Sequence, residues 1–533
     1  MSPLSIVILS LCGIYMLVNF THDLHMLQQN SYRADRYFRW LKRGDMSSAW
    51  RLVDVAMIFL VLAANLLPLQ LAALIVAIVC TSKIFIIFSR KFKKPLVYTK
   101  RIWRLYCVTA LLSLGAILPV AICNAGKVFP DGYTGFQITL FILLAICALS
   151  WVVVLLALFI LSPVEKAINR KFRKEAVGIL QSMPSLKVIG ITGSYGKTST
   201  KHFLHSILSE QFETLMTPGS FNTPLGVIRT VREQMKPYTE IFICEMGAKQ
   251  KGDIKEICDI VNPEIGIITA VGPMHLESFK SLENVQSTKF ELADALPSDG
   301  FAVVNDDFAL CASRKIENTG CIRYSAAGAK GADYVASDIR YSPQGTDFKV
   351  TTPEGEVIDF HTPVVGEGNV SNILAAIIVA LKLGMPVQKI VTAVGKINQV
   401  EHRLSMRRTP GGVTVIDDAF NSNPSGAKMA LDVLTQFTGG QRIVVTPGMI
   451  ELGEKQHQLN AALGKYIGDK ADVAIIVGEY NRDALTEGLA KSQIDEKNIY
   501  TVDTFVLAQE LLTEILRQGD TILYENDLPD SFK

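Results

Sequence analysis

Apolar residues fill the first third of the chain in long, almost uncharged runs. Leu4–Phe20 is just long enough to cross a bilayer. As one helix, Val55–Phe88 would be about 50 Å long, against a hydrocarbon core of roughly 30 Å, so a break at Asn65–Gln70 predicts two helices. With the runs Leu105–Cys123 and Phe136–Leu161, the pattern predicts five membrane-spanning helices.

The loops between these runs differ in charge. Thr21–Trp50 and Arg90–Arg104 are rich in arginine and lysine, whereas Asn65–Gln70 and Asn124–Gly135 are nearly uncharged. Because basic loops stay on the cytoplasmic side, we expect a multi-pass plasma-membrane domain over residues 1–165, with its N-terminus outside and all later residues in the cytoplasm. The start of the chain lacks the basic region of a secretory signal, so the first run is interpreted as a retained anchor.

The loop Thr21–Trp50 mixes aromatic and basic residues, including His22 and His25. This composition favours an amphipathic helix at the membrane interface. A binding site for an anionic, lipid-linked substrate is the alternative, and the sequence leaves both open.

Beyond residue 165 the pattern changes to short apolar runs that alternate with helical stretches. We expect a basic linker over 166–184, a central α/β domain with a mostly parallel sheet over 185–400, and a smaller Rossmann-like α/β domain over 401–533. Short β segments in Gly320–Val365 indicate a small antiparallel addition to the central sheet.

Composition narrows the class of protein. The net charge of +2 gives no reason to expect nucleic-acid binding. Nine cysteines are scattered without a C-x-x-C pair, which favours buried thiols in a reducing environment over disulfides or a zinc site. The mean hydropathy of +0.27 is high because of the first third of the chain.

The strongest chemical signal is Val188–Lys201, where an apolar strand leads into T-G-S-Y-G-K-T and a helix. Glycines at 193 and 196 let backbone N–H groups approach an anion, Lys197 can reach outer phosphates, and a hydroxyl can bind Mg²⁺. The general P-loop pattern would need glycine where Ile191 stands. A glycine-rich turn with a surface lysine is the alternative.

This form of the loop resembles the Mur ligase family, which are ATP-dependent amide-bond-forming enzymes of cell-wall synthesis. Four later motifs resemble its MurF-type members in the same order: E-M-G at Glu245, V-G-P-M-H-L-E at 271–277, G-E-G-N-V-S-N at 366–372 and D-D-A-F-N-S-N-P at 417–424. A carboxylate that ends a parallel strand beside a phosphate loop is also a typical Mg²⁺ ligand, which supports the metal role of Glu245.

The resemblance implies ATP, two Mg²⁺ ions and a set of site residues. It implies ATP binding by Gly193, Ser194, Gly196, Lys197, Thr198, Ser199, Asn369, Asn372, Arg403 and Asp417. It implies metal binding by Thr198, Glu245 and His275, catalytic roles for Lys197, His275 and Lys289 (the last as a carbamate), and substrate contacts by Asn222, Thr223, Asn421 and Asn423. Each of these residue types also has an ordinary structural use, such as a helix cap, a turn or a solvated surface group.

Several positions depart from the family pattern. Ala270 stands where the family has asparagine, Gly368 replaces a histidine and Phe420 replaces a tyrosine. The family's Lys-Gly-Ser near the end is absent from Ile522–Phe532, which leaves the identity of the amine substrate open.

These observations predict a membrane-anchored ATP-dependent ligase that joins an amino acid or dipeptide to an acceptor carboxylate, with a lipid-linked acceptor as the main reading. Three alternatives stay open: a MurF-type ligase acting on a UDP-linked muramoyl peptide with D-Ala-D-Ala, a poly-γ-amide synthetase, and a membrane transporter with an ATPase domain. Against a transporter, Asp54 is the only acid expected near a membrane helix. A catalytically dead scaffold is disfavoured because the motif residues are intact.

Overall fold

The computed structural model describes residues 3–42, 46–62, 69–89, 92, 94–125, 135–219, 221–342, 345–420 and 422–528. These residues divide into two compact units, one up to Ile168 and one from Asn169 to Leu528.

Helices are the only regular secondary structure in the described part of the first unit, and the last of them continues past Ile168 into the second unit. Its helices are α1 (Pro3–Gln29), α2 (Ala34–Lys42), α3 (Met46–Leu62), α4 (Leu69–Ser89), α5 (Lys100–Ala125), α6 (Gly135–Ala148) and α7 (Ser150–Gln181). By length and composition, three stretches among the described residues could cross a membrane: Ile6–Gln29, Lys100–Val120 and Ser150–Gln181. Leu52–Leu62, Leu74–Ser89 and Gly135–Ala148 are apolar but shorter.

This arrangement does not confirm the expected five membrane-spanning helices. The predicted single helix Phe136–Leu161 is wrong, because the chain turns at Leu149 between α6 and α7. The hydroxyl of Ser150, which begins α7, is bonded to two polar side chains of α1, Asn19 and Asp23. The basic residues of the expected linker lie in α7, which continues to Gln181.

The interior of this unit holds more charge than the sequence indicates. Lys83 Nζ lies 2.7 Å from Asp54 Oδ1, which also accepts a 2.8 Å hydrogen bond from Tyr15. Asp23 is buried as well, because α1 extends nine residues past the predicted end at Phe20. The expectation that Asp54 is the only acid near an apolar helix is therefore wrong.

The segment Thr21–Trp50 is divided between helices. Its first residues extend α1, and α2 carries the amphipathic pattern that was predicted, with Tyr37 buried and charged residues such as Arg39 on the outside. His25 Nε2 lies 2.7 Å from the Lys94 carbonyl oxygen.

The second unit contains two α/β sheets. The first sheet, in residues 187–362, has nine strands in the order β2-β3-β1-β4-β5-β6-β7-β8-β9. The strands are β1 (Lys187–Thr192), β2 (Thr214–Met216), β3 (Ile241–Glu245), β4 (Ile265–Ile268), β5 (Phe301–Asn305), β6 (Gly320–Ser325), β7 (Tyr334–Ser342), β8 (Gly345–Thr351) and β9 (Val357–Thr362). Pairing is parallel as far as β7 and antiparallel through β8 and β9, as the sequence predicts.

Helices cover both faces of the parallel part. They are α8 (Lys197–Leu208), α9 (Pro224–Gln234), α10 (Asp253–Val261), α11 (Leu276–Phe279), α12 (Leu282–Asp294), α13 (Ala309–Ala312), α14 (Glu367–Lys382) and α15 (Val387–Val394). Side chains of β3 alternate between the two faces: Ile243 joins the core under α8 and α14, and Phe242 joins the core under α10 and α12. This alternation is the mark of a strand buried on both sides.

The second sheet, in residues 405–525, has six strands in the order β10-β11-β15-β12-β13-β14. The strands are β10 (Ser405–Arg408), β11 (Thr414–Asp418), β12 (Arg442–Thr446), β13 (Val473–Val477), β14 (Ile499–Val502) and β15 (Thr521–Glu525), and only β10 is antiparallel to its neighbour. Its helices are α16 (Pro424–Leu434), α17 (Gln456–Lys470), α18 (Arg482–Leu489) and α19 (Phe505–Ile515), with short 3-10 turns at Gly453–Lys455 and Glu496–Asn498.

The helix α14 is buried on nearly all sides, so a substitution in it tests where the core of the central domain lies. Leu374→Ala removes a side chain with 0% exposure and should cost about 2–5 kcal/mol of stability because it leaves a cavity. Thermal unfolding of the full chain should shift to lower temperature by several degrees.

The matched control is Leu507→Ala on α19, where the same side chain is 43% exposed and the expected change is within about 0.5 kcal/mol. Equal shifts in the two variants would contradict this placement of the core.

Candidate active site

The phosphate loop lies between β1 and α8 at the carboxyl end of the parallel sheet, where α/β proteins bind ligands. Gly196 has φ +78°, and a Cβ there would collide with Asn372 Oδ1, so the turn requires glycine. In the described residues, no side chain caps the N-terminus of α8. The N–H groups of its first turn are therefore available to an anion.

Lys197 folds back over this loop. Its Nζ donates to the Gly193 carbonyl oxygen at 2.7 Å and to the Ser194 carbonyl oxygen at 3.4 Å. Burial lowers the pKa of Lys197 to about 8, with Glu245 opposing this effect and Arg403 adding to it. The ammonium group is thus held at the loop by neutral carbonyl groups.

The other residues of the loop are bonded to the polypeptide around them. Ser194 exchanges 3.1 Å hydrogen bonds with the backbone of Gly272, and Ser199 is buried in the first turn of α8. Thr198 Oγ1 donates to Glu245 Oε1 at 3.3 Å.

Glu245 ends β3 directly beside β1, in register with Ile191. It is 1% exposed, and Lys201 Nζ lies 3.0 Å from its Oε2. Asn222 Nδ2 donates to its Oε1 at 3.0 Å. Burial alone would raise the pKa of Glu245, but the charges of Lys201 and Lys197 and the bond from Asn222 outweigh burial and lower it.

The hydroxyl of Thr198 and the carboxylate of Glu245 are the hard oxygen donors that Mg²⁺ prefers. No group of three or more His, Cys, Asp or Glu side chains within the described residues is placed to hold a metal ion. Mg²⁺ usually takes only one or two carboxylates and completes its shell with water and phosphate oxygens, so this donor pair fits an ion that arrives with a nucleotide.

His275 is hydrogen-bonded to a residue outside the phosphate loop. It lies in a left-handed backbone conformation, φ 51°, and its Nδ1 is hydrogen-bonded to Glu451 Oε2, a residue of the second sheet domain. Lys249 Nζ lies 3.2 Å from the other oxygen of Glu451. Burial would raise the pKa of Glu451, but His275 and Lys249 hold it well below its usual range. The structure does not place His275 and Glu245 in one ligand group.

Lys289 is a buried lysine on α12, 3% exposed. Its Nζ lies 5.9 Å from the centre of the Phe279 ring. Burial lowers its pKa well below the usual range, and the positive charge of Lys197 adds to this. Both effects shift the equilibrium of this side chain towards the neutral amine.

The two asparagines of α14 take different positions. Asn372 Oδ1 accepts a 3.1 Å hydrogen bond from Thr200 and lies against Gly196, so it borders the phosphate loop. Asn369 Nδ2 donates to the Val365 carbonyl oxygen at 2.8 Å and is buried. A Cβ on Gly368 would lie 2.5 Å from Met429 Sδ, so a larger residue there would require the Met429 side chain to move.

Arg403 connects the second sheet domain to the loop. Its guanidinium lies 4.1 Å from the centre of the Phe420 ring and interacts electrostatically with Glu245 and Lys197. Burial lowers its pKa although Asp418 opposes this. Asp417 Oδ2 lies 2.8 Å from His402 Nδ1.

Two of the expected substrate residues serve as helix caps. Thr223 accepts a 3.3 Å hydrogen bond from Gly226 N at the start of α9, and Asn423 accepts a 2.9 Å bond from Gly426 N at the start of α16. Asn421 lies outside the described residues.

Sequence reasoning missed Lys201, Glu451 and Glu525. Lys201 could have been found, because it follows Lys197 by four residues and so lies on the same face of α8. No local sequence pattern indicates the contacts of Glu451 and Glu525, because their partners are distant in the chain.

The pair Lys201–Glu245 gives a stability test. Lys201→Met leaves a buried carboxylate without its nearest cation, which should cost about 3–5 kcal/mol and lower the thermal midpoint. The double variant Lys201→Met/Glu245→Gln should recover part of that loss. A double variant no more stable than Lys201→Met would show that the two charges are not coupled.

Known protein families match most of the second unit. Residues 191–380 match the Mur ligase middle domain, and residues 402–524 match the Mur ligase, glutamate ligase domain. The UDP-N-acetylmuramoyl-tripeptide--D-alanyl-D-alanine ligase of Mycobacterium tuberculosis (strain ATCC 25618 / H37Rv) is 37% identical over 366 residues, which cover 63% of this chain and 70% of that protein. The enzyme of the same name from Bacillus subtilis (strain 168) is 29% identical over 342 residues, 64% of this chain and 72% of that protein.

Solved structures of MurF are similar to this chain as well. MurF from Acinetobacter baumannii superposes with a TM-score of 0.61 at 27% identity, covering 67% of this chain and 77% of that one. MurF ligase from Thermotoga maritima in complex with ADP gives a TM-score of 0.61 at 25% identity, covering 67% of this chain and 80% of that one. With its phosphate loop, its buried Glu245 and these relatives, the chain belongs to the Mur ligase family of ATP-dependent, ADP-forming amide ligases.

Proposed function

We propose that this ligase activates the terminal carboxylate of a UDP-linked muramoyl peptide with ATP and joins it to D-alanyl-D-alanine. The observation that carries the proposal is the uncapped, glycine-rich loop of α8, which lies beside a buried Glu245 and carries Lys197. The substrates are those in the names of its relatives.

We assign these site residues separate roles in binding ATP and the substrates. The backbone of Gly193–Gly196 and Lys197 bind the β- and γ-phosphates, and Arg403 contributes a further positive charge from the second sheet domain. Asn369 and Asn372 bind on the adenine side and Asp417 binds the ribose. Asn222 meets the acceptor carboxylate, while Thr223, Asn421 and Asn423 shape the loops that receive the substrates.

The reaction proceeds in two steps. A carboxylate oxygen of the acceptor attacks the γ-phosphorus, the bond to the β-phosphate oxygen breaks, and ADP leaves. The neutral amine of the dipeptide then attacks the carbonyl carbon of the acyl phosphate, phosphate leaves with the original carboxylate oxygen, and the amine loses a proton. Lys197 and Arg403 stabilise the charge that develops on the phosphoryl oxygens.

Thr198 and Glu245 are the residues that would hold Mg²⁺, which neutralises phosphate charge when bound. His275 would serve a second ion once a nucleotide is present. A carbamate on Lys289 would supply an anion to it. The neutral amine is the form that combines with CO₂, and burial lowers the pKa of Lys289 in the direction of that form.

Lys289 offers a direct test of that modification. Lys289→Ala should lose most of its activity because the anion is lost, and formate or acetate in the assay should partly restore it by occupying the vacated space. The measurement is ADP release with and without the added acid.

Lys289→Ala without rescue, together with an unmodified mass for residue 289 in the wild-type chain, would contradict a carbamate there. The control is Lys255→Ala, an exposed lysine on α10, whose activity should not respond to the added acids.

A second candidate acceptor is lipid-linked, and the apolar first unit is the observation that favours it. Side chains such as Phe85, Phe88 and Phe159 are more than 70% exposed on its helices, which is a surface suited to a bilayer. We infer a multi-pass membrane location with the ligase domains in the cytoplasm. The names of the relatives favour the UDP-linked acceptor over this one.

The two acceptors are separated by one assay. ADP release by the full chain should require ATP, Mg²⁺, D-alanyl-D-alanine and the UDP-linked muramoyl tripeptide, and Lys197→Met should abolish it because the γ-phosphoryl group loses its cation. Release that requires the lipid-linked muramoyl tripeptide instead would select the second candidate.

ADP release that needs no acceptor would point to an ATPase of another class, such as a transporter. Because Lys197→Met removes only one side chain from the loop, an unchanged thermal midpoint is the control for its folding.

A further inference from the structure

A glutamate with no role in the proposed chemistry is buried at the carboxyl end of the second sheet. Glu525 is the last residue of β15, which lies between β11 and β12, and its exposure is 0%. One carboxylate oxygen accepts a hydrogen bond from the Ser422 hydroxyl and the other accepts one from Thr446 Oγ1 at 3.0 Å. Ser422 follows β11 and Thr446 ends β12, so a single carboxyl group joins the ends of three neighbouring strands.

The next residue, Asn526, strengthens the same junction. Its Oδ1 accepts a 3.1 Å hydrogen bond from Ser422 N, and its Nδ2 donates to the Gly448 carbonyl oxygen at 2.5 Å. Ser422 is therefore held through both its side chain and its backbone. In the sequence it stands between Asn421 and Asn423, which we propose to shape a loop that receives the substrates.

The loop after β12 belongs to this junction too. Gly448 N donates to Thr446 Oγ1 at 3.0 Å, and Met449 N donates to the buried Asn460 at 2.8 Å. Two residues beyond Met449, Glu451 contacts His275 of the first sheet domain. Glu525 thus lies between Ser422 and the loop after β12, and that loop contacts the first sheet domain through Glu451.

We propose that Glu525 is a positioning residue for the amine substrate, because its carboxylate holds Ser422 and so fixes Ser422 and Asn423 against the sheet. The inference rests on the proposed ligase function and deepens it. An ionised carboxylate can accept from both hydroxyl groups at once, whereas the protonated acid must use one oxygen as a donor, which weakens the junction.

This protonation falls in an accessible pH range. Burial raises the pKa of Glu525 to about 7, and the negative charge of Asp418, its register partner on β11, adds to this, while the bonds from Ser422 and Thr446 oppose it. As the pH rises through about 7, Glu525 becomes ionised and should hold Ser422 more firmly. The KM for the amine should therefore fall over that range by more than the amine's own ionisation explains.

The test compares the full chain with Glu525→Gln, which keeps the shape and loses the charge, using D-alanyl-D-alanine as the probe amine in the ADP-release assay. We expect the KM for the dipeptide to rise about tenfold at pH 8, as for the loss of one hydrogen bond to a charged group, with the KM for ATP unchanged. In the wild type, the KM for the dipeptide should change near pH 7 by more than the ionisation of the amine explains. In Glu525→Gln this additional change should be absent.

Two further variants separate positioning from general stabilisation. Ser422→Ala removes the bond on the loop side and should reproduce the higher dipeptide KM, whereas Thr446→Val removes the bond on the sheet side and should lower the thermal midpoint with a smaller effect on that KM. If Glu525→Gln does not fold, Ser422→Ala decides the question alone.

Equal KM changes for ATP and dipeptide, or an unchanged dipeptide KM in both Glu525→Gln and Ser422→Ala, would overturn the inference. A wild-type chain that is inactive with the dipeptide would overturn the proposed function and this inference with it. An active wild type beside unchanged variants overturns the inference alone.

Discussion

The buried contact between Glu245 and Lys201 is the interaction on which the active site depends. Two opposite charges 3.0 Å apart, both almost fully removed from water, attract strongly in the interior, and each would be costly to bury alone. The contact fixes the end of β3 against the first two turns of α8. It thereby sets the distance between the carboxylate and the loop in which Lys197 lies.

Positive charge accumulates around this pair. Lys197, Lys201 and Arg403 all interact with Glu245, and Arg403 also interacts with Asp418, so three cations face two carboxyl groups. A site of this kind attracts a polyanion such as a triphosphate. Arg403 comes from the second sheet domain, as does Glu451, which holds His275. The two domains therefore share one site, as a reaction that joins a nucleotide-activated acid to an amine requires.

Local signals in the sequence predicted the local parts of this arrangement. The strand β1, the loop 193–196 and the carboxylate at the end of β3 follow from short apolar runs and glycine positions, and both α/β sheets were expected. The roles of Thr223 and Asn423 as helix caps also follow from residue type, and they are an alternative to the proposed roles of these residues in substrate binding. The break between α6 and α7 was missed because Ser150 is bonded to residues some 130 positions earlier. The partners Glu451 and Glu525 depend on similarly distant contacts, which periodicity does not report.

The central claim is that the energy of ATP passes through the acceptor carboxylate. The most direct measurement labels both oxygens of that carboxylate with ¹⁸O and follows the label by mass spectrometry after one turnover. The account predicts that one labelled oxygen leaves in inorganic phosphate and the other stays in the amide carbonyl of the product. Phosphate that is free of label would contradict it, because no bond between the carboxylate and the γ-phosphorus could then have formed.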